Sequence, residues 1–132
     1  MNIIFHEIFQ TTRKFTNSLN DVLKDYGLYN SQWTILYTVY RHKTMTLTEI
    51  WKYLNVEAPT VTRTVSRLEQ LGWLVRQEGE DRRSRIITLS EQGLEKYPAV
   101  EAAVMQFENS LAKDLSTEEQ QMFLSLLQKL KG

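Results

Sequence analysis

TLTEIWKYLNVEAPTVTRTVSRLEQLGWLVRQEGEDRRSRIITL, residues 46–89, decides how the rest of the chain is read. Thr46 with Glu49 three residues on is a capping box: each side chain answers the other's unpaired backbone N–H and opens a helix. Leu47, Ile50, Trp51 and Leu54 recur at helical spacing and give it one apolar face. Asn55, Val56 and Glu57 form a short connection. A second helix is expected from Pro59, whose missing N–H costs nothing in a first turn. Its inner face is Val61, Val65, Leu68 and Leu71, and Gly72 supplies the stop.

Two helices joined by so short a turn must cross steeply, as in a helix-turn-helix. The second then turns Thr60, Thr62, Arg63, Ser66 and Arg67 outward. After Gly72, residues 73–76 and 85–89 are rich in β-branched and large apolar side chains and read as two strands. The eight residues between them, Gln77 to Ser84, are too polar to pack inside. The pattern is mainly α with a small β-hairpin wing: a winged helix-turn-helix.

Three runs make the pattern specific: TVTRTVSRLEQLGWLVR from Thr60 to Arg76, EDRRSR from Glu80 to Arg85, and LSEQG from Leu89 to Gly93. In this order they resemble the DNA-binding half of the MarR (multiple antibiotic resistance regulator) family of bacterial transcription factors. Asp81 and Arg83 match that family's Asp-x-Arg wing signature. Pro59 departs from it, standing where the family often has Ser. The resemblance spans nearly the whole chain and implies a single domain over 1–132. Residues 30–89 would form the winged helix-turn-helix, and 1–29 and 90–132 the helices that interlock into a homodimer.

The flanking sequence agrees with that division. From Asn2 to Tyr26, Phe5, Ile8, Phe15, Leu19, Val22, Leu23 and Tyr26 recur at helical steps, and Gly27 ends the run. Asn30 or Ser31 is expected to cap a helix over 32–41, with Trp33, Leu36, Tyr37 and Tyr40 on one side. Ser90 caps a long segment in which Leu94, Tyr97, Val100, Val104, Phe107, Leu111 and Leu115 stay in register. Pro98 removes one hydrogen bond there and is expected to kink or restart the helix near Tyr97. Ser116 and Glu119 form a second capping box, launching a last helix with Phe123, Leu126, Leu127 and Leu130 inward. Long apolar stripes at both ends must be covered by each other or by a second subunit.

Composition bounds the function. At 132 residues, 42% hydrophobic and 24% charged, the chain is one ordinary globular domain. It contains no apolar run of membrane-spanning length and no charged-then-apolar leader, so a cytoplasmic protein without membrane attachment is expected. With no Cys, thiolate sensing is excluded, as is the peroxide-sensing branch of the resembling family. His6 and His42 are the only histidines, and no HExxH, GxSxG or Gly-rich phosphate loop is present; neither catalysis, a metal nor a cofactor is expected. Formal net charge is zero, unusual for a DNA-binding protein. Its distribution is uneven: residues 58–89 carry six arginines against four carboxylates, whereas 90–132 are net −3.

By role, Thr60, Thr62 and Arg63 lie where base edges would be reached, Arg63 being the guanine candidate. Arg67 suits a phosphate, unless it pairs on the surface near Glu69, and Pro59 sits at the helix entrance. By resemblance Arg83 enters a minor groove and Asp81 holds it in place, with Arg82 and Arg85 as further phosphate candidates. The implied partners are a near-palindromic double-stranded operator and a second copy of the chain. The family commonly binds small aromatic acids, which points to Trp33, Tyr37 and Tyr40 as a candidate ligand site, although aromatics at helical spacing also fit a core. The competing reading is a winged-helix protein–protein interaction module that has abandoned DNA. Zero net charge favours it; the all-Arg reading surface and the Asp81–Arg83 wing oppose it.

Overall fold

The computed structural model describes residues 2–78 and 85–132. Its elements run α1 (Ile3–Leu23), α2 (Asn30–His42), α3 (Leu47–Leu54), α4 (Ala58–Gln70), β1 (Leu74–Glu78), β2 (Arg85–Leu89), α5 (Glu91–Leu111) and α6 (Thr117–Lys131). A single 3₁₀ turn, Lys24–Tyr26, tightens the end of α1 before Gly27. The sequence expectation of a mainly α chain with a β-hairpin wing holds in this order of elements.

The core explains which faces are apolar. Ile50 of α3 and Val61, Val65 and Leu68 of α4 are buried together, joined by Leu36 and Val39 of α2 and by Leu74, Ile87 and Leu89 of the hairpin. Leu23 from α1 and Tyr97, Val100 and Val104 from α5 complete one continuous cluster. The helix-turn-helix is thus joined in one core to α1 and α5, with α2 between them.

Thr46 caps α3 as expected: Glu49 N–H donates to Thr46 Oγ1 and Thr46 N–H to Glu49 Oε1, both at 3.1 Å. Asn55 closes α3 in the left-handed region at φ 55°, which Asn tolerates better than most side chains. Gly72, at φ 86°, ends α4 in a Schellman motif. Its own N–H reaches the Glu69 carbonyl at 3.0 Å, and the Trp73 N–H reaches the Leu68 carbonyl at 2.9 Å. Trp73 is therefore spent on closing the helix, and β1 starts one residue later than the apolar run suggests.

The hairpin is antiparallel, with Leu74 opposite Leu89 and Glu78 opposite Arg85. Met45 adds a one-residue third strand: its N–H donates to the Ile87 carbonyl at 3.1 Å and its carbonyl accepts from Ile87 N–H at 2.7 Å. The wing is thereby bolted to the entrance of α3.

Four expectations need correction. Helix α2 begins at Asn30 rather than 32, because Tyr29 is the cap residue and Gln32 Oε1 accepts its N–H at 2.9 Å. Asn30 does not cap; its N–H is instead bound by Asn20 Oδ1 of α1, at 2.7 Å. Helix α4 begins at Ala58, so Pro59 is its second residue, still within the turn whose N–H groups lack helical acceptors. Of the kink or restart expected at Pro98, the restart does not occur: α5 runs unbroken from Glu91 to Leu111.

The fourth correction concerns α6. Phe123, Leu126 and Leu130 do not face inward: they are 58%, 49% and 54% exposed, Leu127 is only half-buried, and α6 buries no side chain. At the other end of the chain Ile3, Ile4, Phe5 and Phe9 are equally wet.

Candidate nucleic-acid interface

Helix α4 has two faces with opposite fates. Val61, Val65 and Leu68 are locked in the core, which fixes the rotation of the helix and turns Pro59, Thr62, Arg63 and Arg67 to solvent. Thr60 is half-buried. Thr62 Oγ1 donates to the Ala58 carbonyl at 3.0 Å, leaving its lone pairs outward. Arg63 is engaged by no hydrogen bond or ion pair among the described residues, so its five donors are free for a ligand. Arg67 Nη1 reaches only Gln70 Oε1, at 3.3 Å.

Glu69 does not compete for Arg67. It takes Arg76 of β1 at 2.7 Å, and Arg76 also approaches Ser66 Oγ at 3.4 Å. This half-exposed pair contributes little energy, but it ties the outer flank of α4 to the first wing strand. Arg76 is therefore a brace rather than a reader, a role that its place in a charge run could not reveal.

Arg85 opens β2, exposed and opposite Glu78. The wing-tip candidates Asp81, Arg82 and Arg83 lie outside the described residues.

Behind α4, Ser90 joins three elements. Its Oγ accepts the Gly93 N–H at 2.9 Å and donates to the Gly72 carbonyl at 2.5 Å; its N–H donates to the Trp73 carbonyl at 2.9 Å. The C-terminus of α4 is thereby hydrogen-bonded to the N-terminus of α5.

The aromatic candidates divide between two clefts. Trp33 and Tyr37 line one of about 450 Å³ with Glu101, Val104, Met105 and Glu108, between α2 and α5. Tyr40 lines another of about 510 Å³ with Arg41, Lys43, Thr88, Leu89 and Leu94. Tyr97, read from sequence only as one position in an apolar register, links them. Its ring stacks on Tyr40 at 3.9 Å and on Trp33 at 5.3 Å between centroids. Helical spacing on one helix could not show that an α5 residue would wedge between two α2 aromatics.

Tyr97 is fully buried, and among the described residues its hydroxyl meets no partner at good hydrogen-bond geometry, Glu101 being the neighbouring acceptor. Burial first, and the neighbouring Glu101 carboxylate second, hold its ionisation well above the ordinary phenol range. A raised folded-state pKa means that the unfolded chain releases this proton first. The stability involved is complete below pH about 10 and is lost as pH rises above it. Tyr97→Phe removes an unpaired buried polar group, whose burial costs about 1–3 kcal/mol. We therefore expect the variant to melt no lower than the parent, and its advantage to widen above pH 10 in thermal scans. A lower melting temperature at neutral pH would mean that the hydroxyl is satisfied in solution.

Among the described residues, no group of three or more His, Asp or Glu side chains is placed to hold a metal, and no helix is long and apolar enough to cross a membrane. His6 is exposed, and His42 ends α2 with Nδ1 2.8 Å from the Thr38 carbonyl.

With this geometry in view, comparison with known proteins is direct. The MarR family model matches residues 28–84, from the loop before α2 through β1 and up to the residue before β2. An uncharacterized HTH-type transcriptional regulator of Bacillus subtilis, YwoH, is 42% identical over 93% of this chain and 90% of its own length. Among solved structures, a mutant of MarR from E. coli complexed with operator DNA superposes with a TM-score of 0.89 at 24% identity, covering 98% of this chain and 94% of that one. Overoxidized AbfR bound to DNA is similar at a TM-score of 0.78 and 30% identity, over 98% and 91% of the two chains. A relative so close over nearly its whole length, a family model seated on the helix-turn-helix and a fold shared from end to end all agree: the chain belongs to the MarR family of winged helix-turn-helix transcriptional regulators, which bind DNA and are not enzymes.

Proposed function

We propose that the chain is a homodimeric, sequence-specific regulator that represses by occupying a near-palindromic operator. In each subunit α4 enters the major groove and the wing the adjacent minor groove. The observation that carries this reading is the outward face of α4, where Arg63 is uncommitted while the opposite face is fixed in the core. Thr60, Thr62 and Arg63 read bases; Arg67 and Arg85 meet phosphates; Pro59 lies at the entering end of the helix. Arg82 and Arg83 act at the wing tip, with Asp81 positioning Arg83. Two of the similar structures were solved with DNA, MarR with operator DNA and AbfR bound to DNA, which supports the same partner here.

Dimerisation is supported by the exposed stripes on α1 and α6. An apolar helix face left wet is unstable, and a second copy supplies the same stripes in return. Residues 1–29 and 90–132 are thus the dimerisation helices and 30–89 the reading unit. A two-fold pairing would also set two α4 helices about 34 Å apart, one turn of duplex.

Ligand control follows from the same layout. The cleft at Tyr40 offers Arg41 and Lys43 to the carboxylate of a small aromatic acid, and it lies between α2, β2 and α5. A ligand that favours the wrong head spacing weakens DNA binding by its differential affinity for that state, and by no more.

Titration of the protein into a fluorescent pool of duplexes across a salt series, with sedimentation of the complex, tests the proposal. Selective binding by a dimer is expected, with log affinity falling linearly against log salt and a slope that counts the phosphates engaged. Adding salicylate should shift the curve if the cleft controls spacing. Uniformly weak binding to every sequence at low salt would instead favour a protein-interaction module, the reading that zero net charge suggests.

A further inference from the structure

The cleft between α2 and α5 has chemistry opposite to that of the Tyr40 cleft. Its lining holds two carboxylates, Glu101 and Glu108, two aromatic rings, Trp33 and Tyr37, and the soft apolar Met105 and Val104. Among the described residues, no Lys or Arg lines it. Neither carboxylate is in an ion pair among the described residues. Behind that lining, Glu101 neighbours the buried Tyr97 hydroxyl. The aromatic wall already attracts one cation from outside the lining: Arg41 donates to Tyr37 Oη at 3.1 Å and lies 5.6 Å from that ring's centroid.

We propose that this cleft binds a lipophilic organic cation, such as an aryl quaternary ammonium. The carboxylates supply charge complementarity, and the Trp33 and Tyr37 rings supply cation–π attraction to a group too weakly hydrated to prefer water. Met105 and Val104 provide an adaptable apolar seat for the remainder. An aromatic acid is rejected here, because two unpaired carboxylates would face its own. The volume of about 450 Å³ falls within the range of small-molecule sites. The two clefts thus divide ligands by charge, with the Trp33–Tyr97–Tyr40 stack as the wall between them.

The test is calorimetric titration of the full chain, without DNA, by benzyltrimethylammonium, by its uncharged carbon isostere neopentylbenzene, and by benzoate. Saturable binding of the cation is expected, at least 10-fold tighter than the isostere, with benzoate not competing. The Glu101→Gln/Glu108→Gln variant should lose at least 10-fold in cation affinity while keeping its melting temperature. Glu108 is exposed and Glu101 half-buried, and neither belongs to the core. No saturable cation binding, equal affinity for the isostere, or an unaffected double-Gln variant would each overturn the proposal. Should the variant fail to fold, the comparison of cation with isostere on the parent chain still decides it. Because no DNA enters the measurement, failure here leaves the operator-binding proposal standing.

Discussion

Arg63→Ala should weaken operator binding by roughly 30-fold to 20,000-fold and relax base preference at one position in each half-site. A forked arginine contact with guanine is worth about 1–3 kcal/mol, and a two-fold dimer makes it twice, giving about 2–6 kcal/mol in all. The loss should fall on specificity, because a base contact discriminates and a phosphate contact does not. Arg67→Ala is the contrast: affinity should drop by a similar factor on every sequence, and the salt slope should shrink by about one per lost phosphate contact. Fold and melting temperature should be unchanged in both variants, since both side chains are exposed and neither joins the core. Competition binding on an operator and its single-base variants, with a salt series, separates the two outcomes. Should Arg63→Ala bind with the parent's affinity and base preference, α4 is not the reading element, and the interaction-module reading gains.

What could be read from sequence, and what could not, follows the range of the forces involved. Thr46 with Glu49 and Gly72 are local signals, decided within one helical turn, and each is where the spacing placed it. The inner face of α4 was legible because a periodic apolar stripe has one place to go. The burial of α6 was misjudged for a related reason: its apolar positions are periodic, yet none of the described residues of the same chain buries them. Periodicity says that a face will be buried without saying by what. Arg76 and Tyr97 were missed as brace and wedge because their partners are 7 and 57 residues away, Glu69 and Tyr40. The three-way role of Ser90 was half legible: its capping of α5 is a local pattern, whereas its bond to the Gly72 carbonyl spans 18 residues.

Gly93→Ala should lower the melting temperature by roughly 6–12 °C. The sequence makes Gly93 look like a tolerated helix glycine, and on an isolated helix alanine would be favoured by up to about 1 kcal/mol. The packing reverses that. A Cβ at this position would stand 2.4 Å from the Trp73 carbonyl oxygen and 3.2 Å from Ser90 Oγ. The oxygen is backbone and cannot rotate away, and it already accepts the Ser90 N–H. Either α5 or the α4–β1 junction must shift, and overpacking of this kind costs about 1–3 kcal/mol. At the upper half of that range a chain of this size loses about 3–4 °C per kcal/mol. The lost contact is also the one that couples the end of the reading helix to α5, so DNA affinity should fall by more than the unfolded fraction explains. Calorimetric melting of Gly93→Ala beside Gly27→Ala provides the comparison. Gly27 has a left-handed φ of 71° but open space around its Cα, so its cost is backbone strain alone and leaves α5 in place. Equal melting temperatures for Gly93→Ala and the parent would show that α5 rides loosely on Trp73, and that the rigid link from α4 to the terminal helices does not exist.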